Sequence, residues 1–272
     1  MNLTSKTIDS FCALIDLERN KPVIDLSNVN FIDTFALVYL GLYIRFHNSK
    51  GKSFWWHAPQ DEKVRNYLAR QRFYQHFNFE PSFVETESLK CTPSTTCWND
   101  IKEIENVPWV AEDIAEEVKS LLVDNHVNAA ISEIYETTAE IVENFAEHSM
   151  EKQAVITAQW FPRIKWLALA IGDCGIGVKR SLLQNRKHSH LANKADKIAI
   201  VEAFKPSVSR KLEGGTGLTT IEQTVVELNG NLFFASNSGY FRVQGGKRFT
   251  GEMNFNFPGV QMEISFPTRG DI

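Results

Sequence analysis

The chain has 272 residues, 43% hydrophobic and 23% charged, with a net charge of −4. These are the fractions of an ordinary globular protein, long enough for one large core or two modest ones. The weakly acidic balance gives no electrostatic case for binding nucleic acid. No apolar run reaches the ~18 residues of a membrane span, and residues 1–7 lack the apolar core of a signal peptide. Four cysteines are scattered, at Cys12, Cys91, Cys97 and Cys174. Cys91 and Cys97 lack the spacing of a zinc knuckle. A reducing cytoplasm is the simplest setting.

Residues 8–16 read as a short opening helix. Val23-Ile24-Asp25-Leu26 follows Pro22 and reads as a buried strand. Phe31-Ile32-Asp33-Thr34 leads into the apolar residues 35–46, a helix that Asp33 or Thr34 can cap. Residues 54–56 predict a second strand, and Pro59-Gln60-Asp61 starts another helix. The order is that of a small α/β unit.

The run Val23 to Leu26 followed by Phe31-Ile32-Asp33-Thr34 resembles the STAS domain, the fold of anti-sigma factor antagonists. In that family the first hydroxyl residue after the acidic one is phosphorylated by a partner kinase. The resemblance puts Thr34 in that place, although Phe35 and Ala36 stand where the family usually has Ser and Gly. Thr34 therefore reads either as a helix cap or as a phosphosite.

Residues 88–96 are rich in Ser and Thr, and Pro108 closes the next stretch. The division is a first domain over 1–95, a connection over 96–108, with room for a short strand or helix, and a second domain over 109–272. In the second domain, residues 109–123 predict an amphipathic helix and 127–149 another. Residues 154–161 and 166–171 predict a hairpin, and 178–184 a helix. Residues 186–193 read as a mobile basic loop. Helices are expected over 194–204 and 219–228, then strands over 232–235, 240–244 and 260–266. The expected layout is an α/β sandwich, with helices on one face of a mixed sheet.

Three motifs in this domain carry chemistry. Glu140, Asn144 and His148 are four apart and project from one helix face, while Ile131, Ile134, Ile141 and Phe145 line another. The polar row reads either as a solvated acidic face or as a site. Gly172-Asp173-Cys174-Gly175-Ile176-Gly177 ends a strand. There Gly175 and Gly177 let backbone approach a flat ligand, and Asp173 can accept a hydrogen bond from an exocyclic amine. Gly214-Gly215-Thr216-Gly217 precedes a helix, whose free N–H groups suit phosphate, with Arg210 and Lys211 upstream. The Lys-Ser/Thr of a Walker loop is missing, and the first box lacks dinucleotide spacing.

Taken together, Glu-x-x-x-Asn on a helix, Asp-x-Gly-x-Gly after a strand and Gly-x-Gly-Leu before a helix resemble the GHKL ATPase superfamily, or Bergerat fold. The resemblance covers about residues 127–267. With His148 completing Glu-x-x-x-Asn-x-x-x-His, the motif looks most like the anti-sigma factor serine kinases, and residues 199–209 resemble their lid. The resemblance implies ATP and Mg2+ as cofactors. It implies that Asn144 binds the metal, that Glu140 is the general base and that Asp173 reads adenine. Gly175 and Gly177 would shape the base pocket, and Gly215, Thr216 and Gly217 would line the phosphates. His148 matches in position and reads otherwise as a capping or packing residue.

Two functions follow from the resemblance. One is an ATP-dependent serine/threonine kinase or ATPase of the partner-switching type, acting with an antagonist- or sigma-factor-like protein. The other is an ATP-gated interaction module with slow or no hydrolysis, in which the STAS-like domain docks a partner. A sensor histidine kinase is disfavoured, because no helical hairpin with a phospho-acceptor His precedes the ATPase region.

Overall fold

The structure is a computed structural model that describes residues 1–77, 96, 98, 100–105, 109–127, 130–148, 153–206 and 217–268. The N-terminal elements are β1 (Asn2–Leu3), α1 (Ile8–Ala13), β2 (Val23–Asp25), β3 (Phe31–Ile32), α2 (Thr34–Ser49), β4 (Trp55–His57), α3 (Glu62–Arg70) and α4 (Phe73–His76). Next come β5 (Lys102–Glu105), α5 (Val110–Asp124), α6 (Ile131–His148), β6 (Gln153–Phe161) and β7 (Trp166–Gly172). The chain continues with α7 (Gly177–Leu183), a 3-10 helix (Arg186–Leu191), α8 (Asp196–Ala203), α9 (Gly217–Glu227), β8 (Asn231–Gln244) and β9 (Lys247–Pro267). The basic stretch expected to be a mobile loop is thus mostly the 3-10 helix. It is held because His188 and Leu191 are buried.

The fold is α/β around a five-stranded sheet of order β5-β6-β7-β9-β8. The sheet is not mixed, as the sequence suggested: each of its ladders is antiparallel. β6–β7 and β8–β9 are hairpins, and β9 inserts between β7 and β8. No parallel crossover is then needed within the sheet. β5, from the stretch read as a connection, is the edge strand beside β6.

Both faces of the sheet are covered. Leu167, Leu169 and Ile171 of β7 point to one side and pack with α5, α6 and α9 through Ile114, Val118, Ile141, Phe145, Ile221 and Val225. Ala170 points to the other, as do Val155, Phe233, Ala235 and Phe257, and joins the core of the N-terminal unit. The element laid on that second face is α2. Asp33 caps it, accepting from the Ala36 N–H at 2.7 Å. Residues 34–44 of α2 are all buried, as expected for a helix that is apolar all round. Phe35 meets Phe233 edge-on at 4.9 Å, and Tyr39 lies 4.9 Å from Phe257. Such aromatic pairs contribute about 0.5–1.5 kcal/mol each beyond area burial. The layout expected from sequence, with helices on one face, is therefore half of the arrangement.

A polar seam joins the N-terminal unit to the sheet edge. Gln71 is fully buried. Its amide donates to the Trp98 carbonyl at 2.8 Å and accepts from the Thr157 hydroxyl at 3.1 Å. Arg45 pairs with Glu103 of β5 at 2.5 Å. Removing one partner of a buried pair such as Gln71–Thr157 strands the other, at a cost of about 1–3 kcal/mol.

β8 and β9 run on past the sheet as a hairpin arm. Gly245 and Gly246 turn it with φ of 57° and 69°, the two positive values of a type I′ turn. The register shifts around Asn237, which re-aims the arm. On one side Asn254 is held by α1, its N–H donating to Asp9 at 2.8 Å. On the other, Phe241 stacks on Phe204 at 4.3 Å, and Arg248 pairs with the buried Glu222 of α9. The segment between the last two predicted strands is therefore itself strand.

Candidate functional site

α6 is amphipathic, with Ile134, Ile141 and Phe145 inside. Glu140 and Asn144 lie on another face and are half-buried. The Asn144 amide nitrogen donates to the Glu140 carbonyl at 2.7 Å and to its carboxylate Oε1 at 3.3 Å. With Nδ2 so engaged, Oδ1 is the amide's oxygen donor toward any cation. His148 is the last residue of α6, and its side chain lies outside the described part.

α9 begins against these two residues. A Cβ placed on Gly217 would stand 2.5 Å from Glu140 Oε1 and 2.7 Å and 2.9 Å from the two polar atoms of the Asn144 amide. Only glycine allows this approach with the polar groups in place. The Thr219 hydroxyl donates to the Phe204 carbonyl at 3.2 Å and ties the first turn of α9 to the end of α8. The first N–H groups of a helix lack intrahelical acceptors and carry partial positive charge. The structure therefore sets the N–H groups of a helix N-terminus next to the oxygens of Glu140 and Asn144. Gly215 and Thr216 lie outside the described residues.

Asp173, Gly175 and Gly177 form a second group just beyond β7. Asp173 is buried, and its N–H donates to the Val260 carbonyl at 2.9 Å. Its Oδ1 accepts from the Gly175 N–H at 2.6 Å, and its carbonyl accepts from Gln261 Nε2 at 2.9 Å. Gly177 has φ of 72° and lies against Ser236 and Asn237. The Ser236 hydroxyl accepts from the Val178 N–H at 3.0 Å and donates to the Gly259 carbonyl at 2.9 Å. Gly177 is thus fixed by its packing on β8 at the register shift.

The sequence reading missed Ser236 and Gln261, which brace this group. Pro258-Gly259, with Gly259 at φ of 83°, was a legible turn signal. Nothing local pointed to the amide of Gln261. Thr34 is fully buried, and its hydroxyl donates to Glu263 at 2.5 Å. It is neither the cap, which is Asp33, nor a hydroxyl presented for phosphorylation in this fold. Among the described residues, no cluster of three or more His, Cys, Asp or Glu side chains could hold a metal ion. No helix among them is long and apolar enough to cross a membrane. No family model matches the chain, and no curated protein matches it.

Proposed function

We propose that the chain binds Mg-ATP between α6 and α9, in the manner of the GHKL ATPases it resembles. On this reading it is a regulatory protein of the partner-switching type that transfers phosphate to a Ser or Thr of a partner protein. The observation that supports this best is the seating of Gly217 on Glu140 and Asn144. The missing Cβ lets the start of α9 close on two oxygen donors, of the type Mg2+ takes, and brings them beside helix N–H groups of the type phosphate takes. Those residues fit the cofactor.

When bound, Mg-ATP supplies an electrophilic γ-phosphoryl group and a cation that offsets its charge. Asn144 would hold the cation through Oδ1. Glu140 would accept the proton of a partner hydroxyl or of water. Asp173, braced by Gly175 and Gln261, would accept from the adenine amine. Gly215, Thr216 and Gly217 would line the phosphates, and Gly175 and Gly177 the base. His148 enters through its motif position alone. The burial of Thr34 favours an acceptor on an antagonist- or sigma-factor-like partner over this chain's own STAS-like unit. A cytoplasmic setting goes with that reading.

The second reading is the ATP-gated interaction module. The packing of α2 on the sheet favours it, since that contact can carry a change at the site to the N-terminal unit. Incubation with labelled ATP, with and without candidate partners, separates the two. The kinase reading expects label on Ser or Thr, lost in Glu140→Ala by a factor of about 10²–10⁴ in rate with ADP binding retained. Binding without transfer or free phosphate selects the module. Equal ADP affinity for wild type and Asp173→Asn would remove the adenine assignment from both.

A further inference from the structure

We infer that Leu42, in the N-terminal unit, is a positioning residue for Asp173, so that the seating of α2 sets the geometry of the adenine contact. The inference rests on the adenine-nucleotide reading and adds to it a route of regulation.

The residues on either side of Asp173 both sit on Leu42. Gly172 precedes it and has no side chain; where its Cβ would stand, Leu42 Cδ1 is 2.7 Å away and Val38 Cγ1 3.2 Å. Cys174 follows it, and its thiol donates to the Leu42 carbonyl at 3.7 Å. From β9, Gln261 closes a third side. Its Cγ lies 3.1 Å from the same Gly172 position, and its Nε2 bonds the Asp173 carbonyl. Leu42 is buried to within 1%, and close-packed interiors transmit small displacements instead of absorbing them. A shift of α2 therefore reaches the backbone of Asp173 directly. The other end of α2 is anchored to the sheet through Glu263. A partner that moves α2 would change the fit for adenine, and by linkage adenine nucleotide would change affinity for that partner by the same factor.

The test compares ADP with inosine diphosphate, which carries a carbonyl where adenine carries its exocyclic amine. Affinities are measured by calorimetry on the full chain as wild type, Leu42→Ala and Leu42→Met. The expected result is a wild-type preference for ADP that falls about tenfold in Leu42→Ala, the scale of one misplaced hydrogen bond, and is restored in Leu42→Met. Equal weakening of both nucleotides in Leu42→Ala would mark Leu42 as merely structural and overturn the inference. So would an unchanged preference. If Leu42→Ala does not fold, Leu42→Val is read in the same way. Wild-type protein that shows no preference for ADP would instead overturn the adenine reading, and this inference with it.

Discussion

Thr34 and Glu263 are joined across 229 positions of sequence by a 2.5 Å hydrogen bond, hydroxyl to carboxylate. The Phe35 N–H donates to the same carboxylate oxygen at 2.9 Å. Glu263 is half-buried as a residue, with its carboxyl turned inward onto the first turn of α2. Asp33 caps the same turn. Burial, and then the nearby Glu263, push the Asp33 carboxyl well above the usual carboxylate range, against the pull of the Ala36 and Ser5 N–H groups. Burial also raises Glu263, against its bonds from Thr34 and Phe35.

Raised carboxyl pKa values mean that the folded chain holds protons the unfolded chain has released. The stability they carry is complete below the ordinary carboxylate range and falls as pH rises through the folded values. Glu263→Gln keeps an acceptor for Thr34 and Phe35 without the charge. It is expected to raise stability above the ordinary carboxylate range and to flatten the loss of Tm as pH rises out of that range. A wild-type slope in the variant would show that the carboxyl pair is not its source.

His47 has the opposite sign. Its ring is buried beside Tyr43, Phe46, Phe54 and Phe255. Burial, then Lys50 and Lys52, lower its pKa to about 4. A lowered histidine must charge on unfolding, so stability is lost as pH falls from about 6.5 through the folded value, by up to about 3 kcal/mol. His47→Phe is expected to remove that acid-side loss, measured by urea unfolding at pH 4.5 and 7. Parallel losses in variant and wild type would clear His47 of the effect.

Gly217→Ala sets a methyl group against Glu140 and Asn144. It is expected to weaken Mg-dependent ADP binding at least about tenfold, one lost contact's worth. Thermal stability should change by less than about 1 kcal/mol, since alanine is the better helix former. Calorimetry with and without Mg2+ checks this, and full affinity in the variant would move the phosphate site elsewhere.

Removing residues 1–95 uncovers Val155, Ala170, Phe233, Ala235 and Phe257 on the sheet. The shortened chain is expected to bind a hydrophobic dye and to aggregate on expression. A monomeric, cooperatively unfolding product would show that the sheet needs no second cover.

The order of helices and strands was legible because apolar periodicity is a local property. The polar row on α6 was legible for the same reason: four-residue spacing puts Glu140 and Asn144 on one face whatever surrounds them. The second cover of the sheet was not read. In β9, Gln261, Glu263 and Ser265 alternate with Met262, Ile264 and Phe266, which reads locally as a strand with one solvated face. α2 and the N-terminal unit cover that face, where Glu263 finds a partner in Thr34 and Gln261 one in the Asp173 carbonyl. The clue lay two hundred residues away, in a helix apolar on every side. β1 and β3 have two residues each, too few for any period. The arm was hidden by polar residues around 247–254, although Gly245-Gly246 is a strong hairpin turn signal.

The arm and β9 also govern the order in which the molecule can be made. Asp9 waits for Asn254, 245 positions later, and Thr34 for Glu263. At about 5–20 residues per second, synthesis leaves α2 without β9 for roughly 10–50 s. During that time an apolar helix lacks one strand of its cover. The cover of α2 is thus completed only when β9 has been made, 229 positions after Thr34.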